Sequence, residues 1–219
     1  MYYQMIIDPY RLFIRSLRMS LRNGLPGENA QRKMEPTSRK MLLEHSMPDD
    51  ITHMSAVLVS IFPIDGKPYI VFIKRQTYNG IHSAQIAFPG GKKEKDDDNM
   101  LETALREAQE EVGIIPEKVM ILGTLTPLFI PISNHLVLPV VGAMKERPTF
   151  YPNLQEVEYI IEMPLCELLQ PDSRSVKTLN IGGLPATTPY FKAGEDMIWG
   201  ATAMILSEFT ELIAPNSCY

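Results

Sequence analysis

Hydrophobic and polar positions follow two periods along this chain, and the switches between them mark out its elements. From Asp8 to Asn23, Leu12, Phe13, Ile14, Leu17 and Leu21 are interleaved with Arg11, Arg15, Arg18 and Arg22, which predicts an amphipathic helix. Pro26, Gly27 and Pro36 make Leu25 to Arg39 a connecting stretch. Two β-branched, apolar runs, Ala56 to Phe62 and Tyr69 to Lys74, surround Asp65-Gly66-Lys67-Pro68. They predict a hairpin with a turn of several residues. Gln85 to Phe88 reads as a short strand entering a Pro89-Gly90-Gly91 turn. A helix follows, with N-caps available in Asp96 to Asn99, capping-box spacing from Asn99 to Glu102, and Gly113 as the residue just past its end at Val112. Val119 to Leu125, Leu136 to Met144 and Val157 to Ile161 predict strands, and Pro164 to Leu169 a short helix. Asn180 to Thr188 reads as a loop, and an apolar helix starts at Trp199-Gly200 and runs to Ile213. The order predicts an α/β fold, a mixed β-sheet sandwiched between helices. Residues 1–50 are expected to form an N-terminal helical extension packed on a core domain at 51–219.

Composition narrows the class. The 219 residues suffice for one sizeable core, and 45% hydrophobic with 21% charged residues is ordinary for a globular protein. The net charge is −5 without a long basic run, which argues against nucleic acid or an anionic membrane as partner. The basic N-terminal helix is short, so packing on the main body is its expected role. It is as compatible with a homodimer contact as with burial on its own chain. Cys166 and Cys218 support neither a disulfide framework nor a cysteine metal site. Met1 to Ile7 is too short for a signal-peptide core and Asp8 interrupts it, so the expected location is cytoplasmic.

Arg106-Glu107-Ala108-Gln109-Glu110-Glu111-Val112-Gly113-Ile114 carries the chemistry. Residues three and four apart are neighbours on a helix, so Glu107, Glu110 and Glu111 crowd together. No Lys or Arg follows any of them at i+3 or i+4, and the C-terminal end of the helix disfavours negative charge. Each pair repels by roughly 2–3 kcal/mol at an effective dielectric of about 20. On a helical wheel the glutamates adjoin a packing stripe of Leu101, Ala104, Leu105, Ala108 and Val112. The alternative is a solvated acidic face, but the spacing continues as R-E-x-x-E-E-x-G-I and follows a Gly-Gly turn, and Mg²⁺ binds clustered oxygen ligands held on a rigid element.

These residues resemble the Nudix box, G-x5-E-x7-R-E-U-x-E-E-x-G-U, where U is aliphatic. The second half matches, with Ala108 at the first U. In the first half, Asp98 stands at the Glu position and Lys92 at the Gly position, so that Gly91 falls one residue early and the loop carries an insertion. Asp97, Asp98 and Glu102 are the candidate partners of Arg106. The resemblance implies a Nudix-type α/β/α sandwich and hydrolysis of a nucleoside diphosphate linked to another moiety. It implies Mg²⁺ or Mn²⁺ bound by Glu107, Glu110 and Glu111, with a carbonyl of Gly90 or Gly91 as a further ligand and Arg106 orienting a glutamate. Bound cations neutralise the diphosphate and activate water. Glu110, Glu111, Glu156 and Glu158 are the candidate bases, and the last two read equally well as the exposed face of a strand.

The resemblance extends to the coenzyme A pyrophosphatase branch. It is carried by Lys74-Arg75, His82-Ser83-Ala84-Gln85-Ile86-Ala87-Phe88-Pro89-Gly90-Gly91-Lys92, Leu125-Thr126-Pro127-Leu128, Pro131-Ile132-Ser133-Asn134 and Ile198-Trp199-Gly200-Ala201-Thr202-Ala203. Against that branch's signature, L-L-T-x-R-[SA]-x3-R-x3-G-x3-F-P-G-G, the chain keeps Arg75 and Phe88-Pro89-Gly90-Gly91 but has Gly80 for the second Arg and Ala84 for the Gly. Coenzyme A or its acyl derivatives are the implied substrates, with ADP-ribose, a dinucleotide or a nucleoside triphosphate as alternatives. A non-catalytic nucleotide-binding module is the remaining alternative. Arg75, His82, Phe88 and Lys92 are the candidate substrate contacts, and Trp199 is expected in the core.

Overall fold

The structure, a computed structural model, describes residues 8–43, 46–77, 84–181 and 183–213. Its helices are α1 (Pro9–Asn23), α2 (Glu28–Arg32), α3 (Thr37–Leu43), α4 (Met100–Val112), α5 (Leu165–Leu168) and α6 (Gly200–Leu212). Its strands are β1 (His53–Ile64), β2 (Lys67–Arg75), β3 (Ile86–Ala87), β4 (Gly90–Lys92), β5 (Met120–Thr124), β6 (Leu128–Ile130), β7 (His135–Ala143), β8 (Val157–Pro164), β9 (Arg174–Ile181), β10 (Leu184–Ala193) and β11 (Asp196–Trp199). Among the described residues no helix is long and apolar enough to cross a membrane.

The main sheet is mixed. β1 pairs in parallel with β7 from His53↔His135 to Ile61↔Ala143, and its other pairings are antiparallel. β1 and β2 are apolar at consecutive positions because both faces are covered. Val59, Ile61, Ile70 and Phe72 join the core beneath α1 and α6, while Leu58, Phe62, Val71 and Ile73 join the core beneath α4. This alternation makes the sheet the middle layer of an α/β/α sandwich.

The pairing of β1 with β2 covers only Ile61 to Ile64 on β1. Beyond it the two strands part. β3 pairs with β2 at Ile73 and Lys74, and β4 pairs with β1 at Ser55 to Val57. The Pro89-Gly90-Gly91 turn is thus wedged into the sheet, directly against α4.

Several local expectations need correction. The β1–β2 hairpin turns on two residues, Asp65 and Gly66, at φ 50° and 74°. A tight turn with positive φ at both positions matches strand twist, so Lys67-Pro68 belongs to β2. Leu25 to Arg39 contains α2 and the start of α3 rather than a bare connection. Asn180 to Thr188 is a hairpin in which β9 and β10 pair from Ile181↔Leu184 to Arg174↔Phe191. Its Gly and Pro residues mask a strand pattern that only a second, three-stranded sheet completes. The core face of α1 is Tyr10, Phe13, Ile14 and Leu17, with Leu12 on the solvent side. The Tyr10 hydroxyl lies 2.7 Å from Met144 O, to which it donates, and 3.0 Å from Ile61 O, which satisfies it inside the core.

Candidate active site

α4 is capped as its sequence predicts. Asn99 accepts from the backbone N–H groups of Leu101 and Glu102, and Gly113 closes the helix at φ 74°. The reciprocal capping bond shifts by one residue, because Glu102 accepts from Asp98 N at 2.9 Å. The buried face carries Ala104, Ala108 and Val112.

The three glutamates part company on this helix. Glu110 is outside, with its side chain 56% exposed. Glu107 lies in the wall of a cleft. Glu111 is inside, 1% exposed, where its Oε2 accepts from Gly90 N at 2.8 Å and its Oε1 lies 3.5 Å from Arg75 Nη2. Burial pushes the Glu111 carboxyl up to about 7, and Glu107 and Glu156 add to this against the opposing pull of Arg75 and Gly90 N. Glu107 is also raised, first by burial and then by Glu110 and Glu156, with Arg106 opposing.

Arg106 supplies the relief that positions i+3 and i+4 lack. It stands one residue before Glu107 and four before Glu110, and binds their carboxylates at 3.1 and 3.0 Å. Its Nε and Nη2 also grip Asp97 Oδ1 and Oδ2 at 2.9 and 3.0 Å. Asp97 is fixed in turn by Glu94 N and Thr103 Oγ1, each at 2.9 Å. Pairing with Arg106 holds the Asp97 carboxyl well below the usual carboxylate range. Asp97 is therefore the acidic partner of Arg106. It lies six residues after Gly91, so the box's glycine-to-acid spacing is intact, and the inserted residue falls between Asp97 and α4 rather than in the glycine loop.

The glycines are dictated by close approach. A Cβ on Gly90 would sit 2.4 Å from Ala56 O, and one on Gly91 would sit 2.4 Å from the Glu107 carboxylate. One face of the turn lies on β1 and the other on Glu107, with no room for a side chain at either residue.

A cleft of about 560 Å³ opens from this corner. Glu107, Glu111 and Glu156 form its acidic end, with Gly91 and Lys92 beside them. Glu156 belongs to the turn before β8, exposed to solvent but within electrostatic reach of both helix glutamates. Glu158 does not line the cleft. Arg75 lines it, but its guanidinium donates to Gly90 O at 2.9 Å and faces Glu111, so it braces the glycine turn. Phe88 is 1% exposed and packs on Phe72 at 4.8 Å between ring centroids, forming floor rather than a projecting contact. His82 lies outside the described residues. Trp199 lines the cleft as well as capping α6.

The cleft also holds residues with no local sequence signal. Ser55 Oγ lies 2.6 Å from His135 Nδ1, a contact between residues 80 positions apart created by the parallel pairing of β1 with β7. Arg39 of α3 also lines the cleft, donating to Phe129 O at 2.8 Å and pairing with Glu35.

The donors at the acidic end suit a hard divalent cation, being carboxylate oxygens beside a backbone turn that approaches Glu107 without an intervening side chain. In their present rotamers no three Asp, Glu, His or Cys side chains among the described residues are gathered closely enough to enclose an ion. Arg106 draws Glu107 and Glu110 aside, and Gly90 N holds Glu111.

Residues 52–174 match the NUDIX domain. The chain is 34% identical over 201 residues to the mitochondrial coenzyme A diphosphatase NUDT8 of Mus musculus, covering 90% of this chain and 93% of that protein. It is 35% identical over 162 residues to the uncharacterized Nudix hydrolase NudL of Yersinia enterocolitica, covering 74% and 82%. A MutT/nudix family protein from Enterococcus faecalis shares the fold, with a TM-score of 0.52 at 14% identity over 85% of this chain and 73% of that one. The chain belongs to the Nudix family and is a pyrophosphohydrolase of that family. Hydrolases of this family generally need divalent cations.

Proposed function

We propose that this Nudix hydrolase splits the diphosphate of coenzyme A or its acyl derivatives, giving adenosine 3′,5′-bisphosphate and 4′-phosphopantetheine. The observation that carries the reading is the mixed lining of the cleft. Glu107, Glu111 and Glu156 share it with the apolar side chains of Leu42, Ile132 and Trp199. A charged diphosphate joined to a long, uncharged arm suits such a lining. The similarity to a protein named as a coenzyme A diphosphatase points the same way.

Glu107, Glu110 and Glu111, with the carbonyl of Gly91, would hold Mg²⁺ or Mn²⁺. When bound, such cations offset the charge of the diphosphate and acidify a coordinated water. The protein's own part is positional. Asp97 fixes Arg106, and Arg106 fixes the approach of Glu107 and Glu110. Gly90 N and Arg75 fix Glu111. Glu156 approaches from outside the helix, accepts from Asn153 Nδ2 at 3.3 Å and lines the cleft beside Glu107 and Glu111, so it would take the proton from an attacking water. Lys92, at the cleft mouth, is the cation placed for the substrate's phosphates.

A panel of coenzyme A, acetyl-coenzyme A, ADP-ribose, a dinucleotide and a nucleoside triphosphate, each with Mg²⁺ or Mn²⁺, tests the assignment by chromatography of the products. Coenzyme A is expected to give the two products above with the highest kcat/KM. Cleavage of ADP-ribose with coenzyme A untouched overturns it.

A further inference from the structure

The carboxylates that line the cleft lie within the matched domain at 52–174, but part of its apolar lining does not. Leu42 and Arg39 come from α3, ahead of that domain, and Ile181, Trp199 and Ile205 come from β9, β11 and α6, beyond it. Leu42 and Ile132 remain 39% and 40% exposed while lining a concavity, the signature of apolar surface kept for a ligand. Arg39 is paired with Glu35 and anchored to Phe129 O, so its charge is already engaged by the protein.

A buried carboxylate ties this wall down. Glu208 of α6 is 0% exposed and accepts from Gly27 N at 3.2 Å, Gln31 Nε2 at 2.8 Å, Thr126 N at 3.2 Å and Thr126 Oγ1 at 2.6 Å. Gln31 also donates to Thr126 O at 2.8 Å, and Lys33 pairs with Glu211 at 2.8 Å. The segment then continues into α3, where Thr37 Oγ1 accepts from Thr187 N of β10 at 3.0 Å. A buried carboxylate must find such donors to be tolerated. Here those donors come from Gly27 and Gln31, in the segment that leads into α3, and from Thr126 in the loop leading into β6.

We propose that the wall built by Pro36, Arg39 and Leu42 selects substrates with an elongated, apolar arm on the non-nucleoside side of the diphosphate, and that Glu208, which holds Gly27 and Gln31 ahead of α3, is the positioning residue that sets this wall. The inference rests on reading the cleft as a diphosphate-cleaving site. The α3 wall reads the arm, and the helix glutamates act on the diphosphate.

The test compares wild type, Leu42→Asp, Glu208→Ala and Glu208→Gln on decanoyl-coenzyme A and on ADP-ribose, whose second half is short and polar. Calorimetric binding of decanoyl-4′-phosphopantetheine is measured alongside. The ratio of kcat/KM for the decanoyl substrate over ADP-ribose is expected to fall about tenfold in Leu42→Asp, the scale of one lost leucine contact. The fall should come through KM. Glu208→Ala should lower the same ratio, and Glu208→Gln, which can still accept hydrogen bonds, should restore most of it. A ratio in Leu42→Asp equal to that of wild type overturns the proposal, whether or not the Glu208 variants fold. A wild type that splits ADP-ribose but no coenzyme A overturns the substrate assignment instead. Binding then decides the wall: about tenfold weaker binding in Leu42→Asp supports it, and absence of binding to wild type overturns it.

Discussion

Asp97 holds Arg106 through two parallel contacts, Oδ1 to Nε at 2.9 Å and Oδ2 to Nη2 at 3.0 Å, and Arg106 in turn holds Glu107 and Glu110. Bidentate pairing is orientation-specific, so a carboxylate nine residues upstream sets where the helix glutamates point. Asp97→Asn is expected to lower kcat by about tenfold or more, at the scale of a lost charge-assisted pair. Asp98→Asn, adjacent in sequence and outside the network, should retain wild-type turnover. Steady-state kinetics of the two variants side by side check this, and equal losses would refute the assignment of Asp97.

Gly91→Ala probes the close packing of the turn on Glu107. The added Cβ meets the carboxylate at 2.4 Å, so either the turn or Glu107 must move. A displacement of about 1 Å at a catalytic group can cost roughly a hundredfold in rate. The variant is expected to lose activity on that scale while keeping its far-ultraviolet circular dichroism. Near-normal kcat would show that the approach of glycine to Glu107 is incidental.

Glu111 couples the site to pH. Its folded-state carboxyl is raised to about 7, above the ordinary glutamate value. A raised acid contributes stability when protonated, and that contribution is lost as pH rises through the folded value. Without divalent cation, the protein should therefore lose stability between about pH 4.5 and pH 7 from this group. Glu111→Gln should flatten that segment of a Tm-against-pH profile and abolish Mg²⁺- or Mn²⁺-dependent hydrolysis. Adding Mn²⁺ to wild type near pH 8 should raise Tm, because a ligand bound to the folded state stabilises it. A Tm profile identical in Glu111→Gln and wild type would contradict the account.

Ala84 explains a departure from the branch's signature. It occupies φ 56°, a conformation that glycine adopts without strain, where the signature has glycine. Ala84→Gly should relieve that strain at some cost in unfolded-state entropy, stabilising the protein by about 0.5–1 kcal/mol. Denaturant titration measures the change. A destabilisation of similar size would show that the alanine methyl packs more than the backbone strains.

Much of this architecture was legible in the residues. The β-branched, apolar runs of β1, β2 and β7 lead to the sheet, and the caps of α4 lead to its ends, because local hydrogen bonding and burial decide both. The packing stripe Ala104, Ala108 and Val112 was legible for the same reason. The β9–β10 hairpin was not, since its glycines and prolines suppress the strand pattern and only pairing makes up for that. Asp97 lay within reach of counting forward from Gly91. Counting backward from Arg106 misled, because spacing does not reveal on which side of an acid an extra residue is looped out.

By itself, the sequence determined which chemistry this protein carries, since three glutamates at helical spacing behind a glycine turn are set by adjacent residues and the 3.6-residue period. Tertiary structure decided how that set divides. It buried Glu111 under Gly90, left Glu110 to solvent, brought Glu156 in from another strand's approach, and joined Ser55 to His135. It also brought α3 to the same cleft as the glutamates and tied the segment before it to Glu208. Burial, electrostatic field and cleft shape depend on elements far apart in the chain, and those distances close only when the sheet forms.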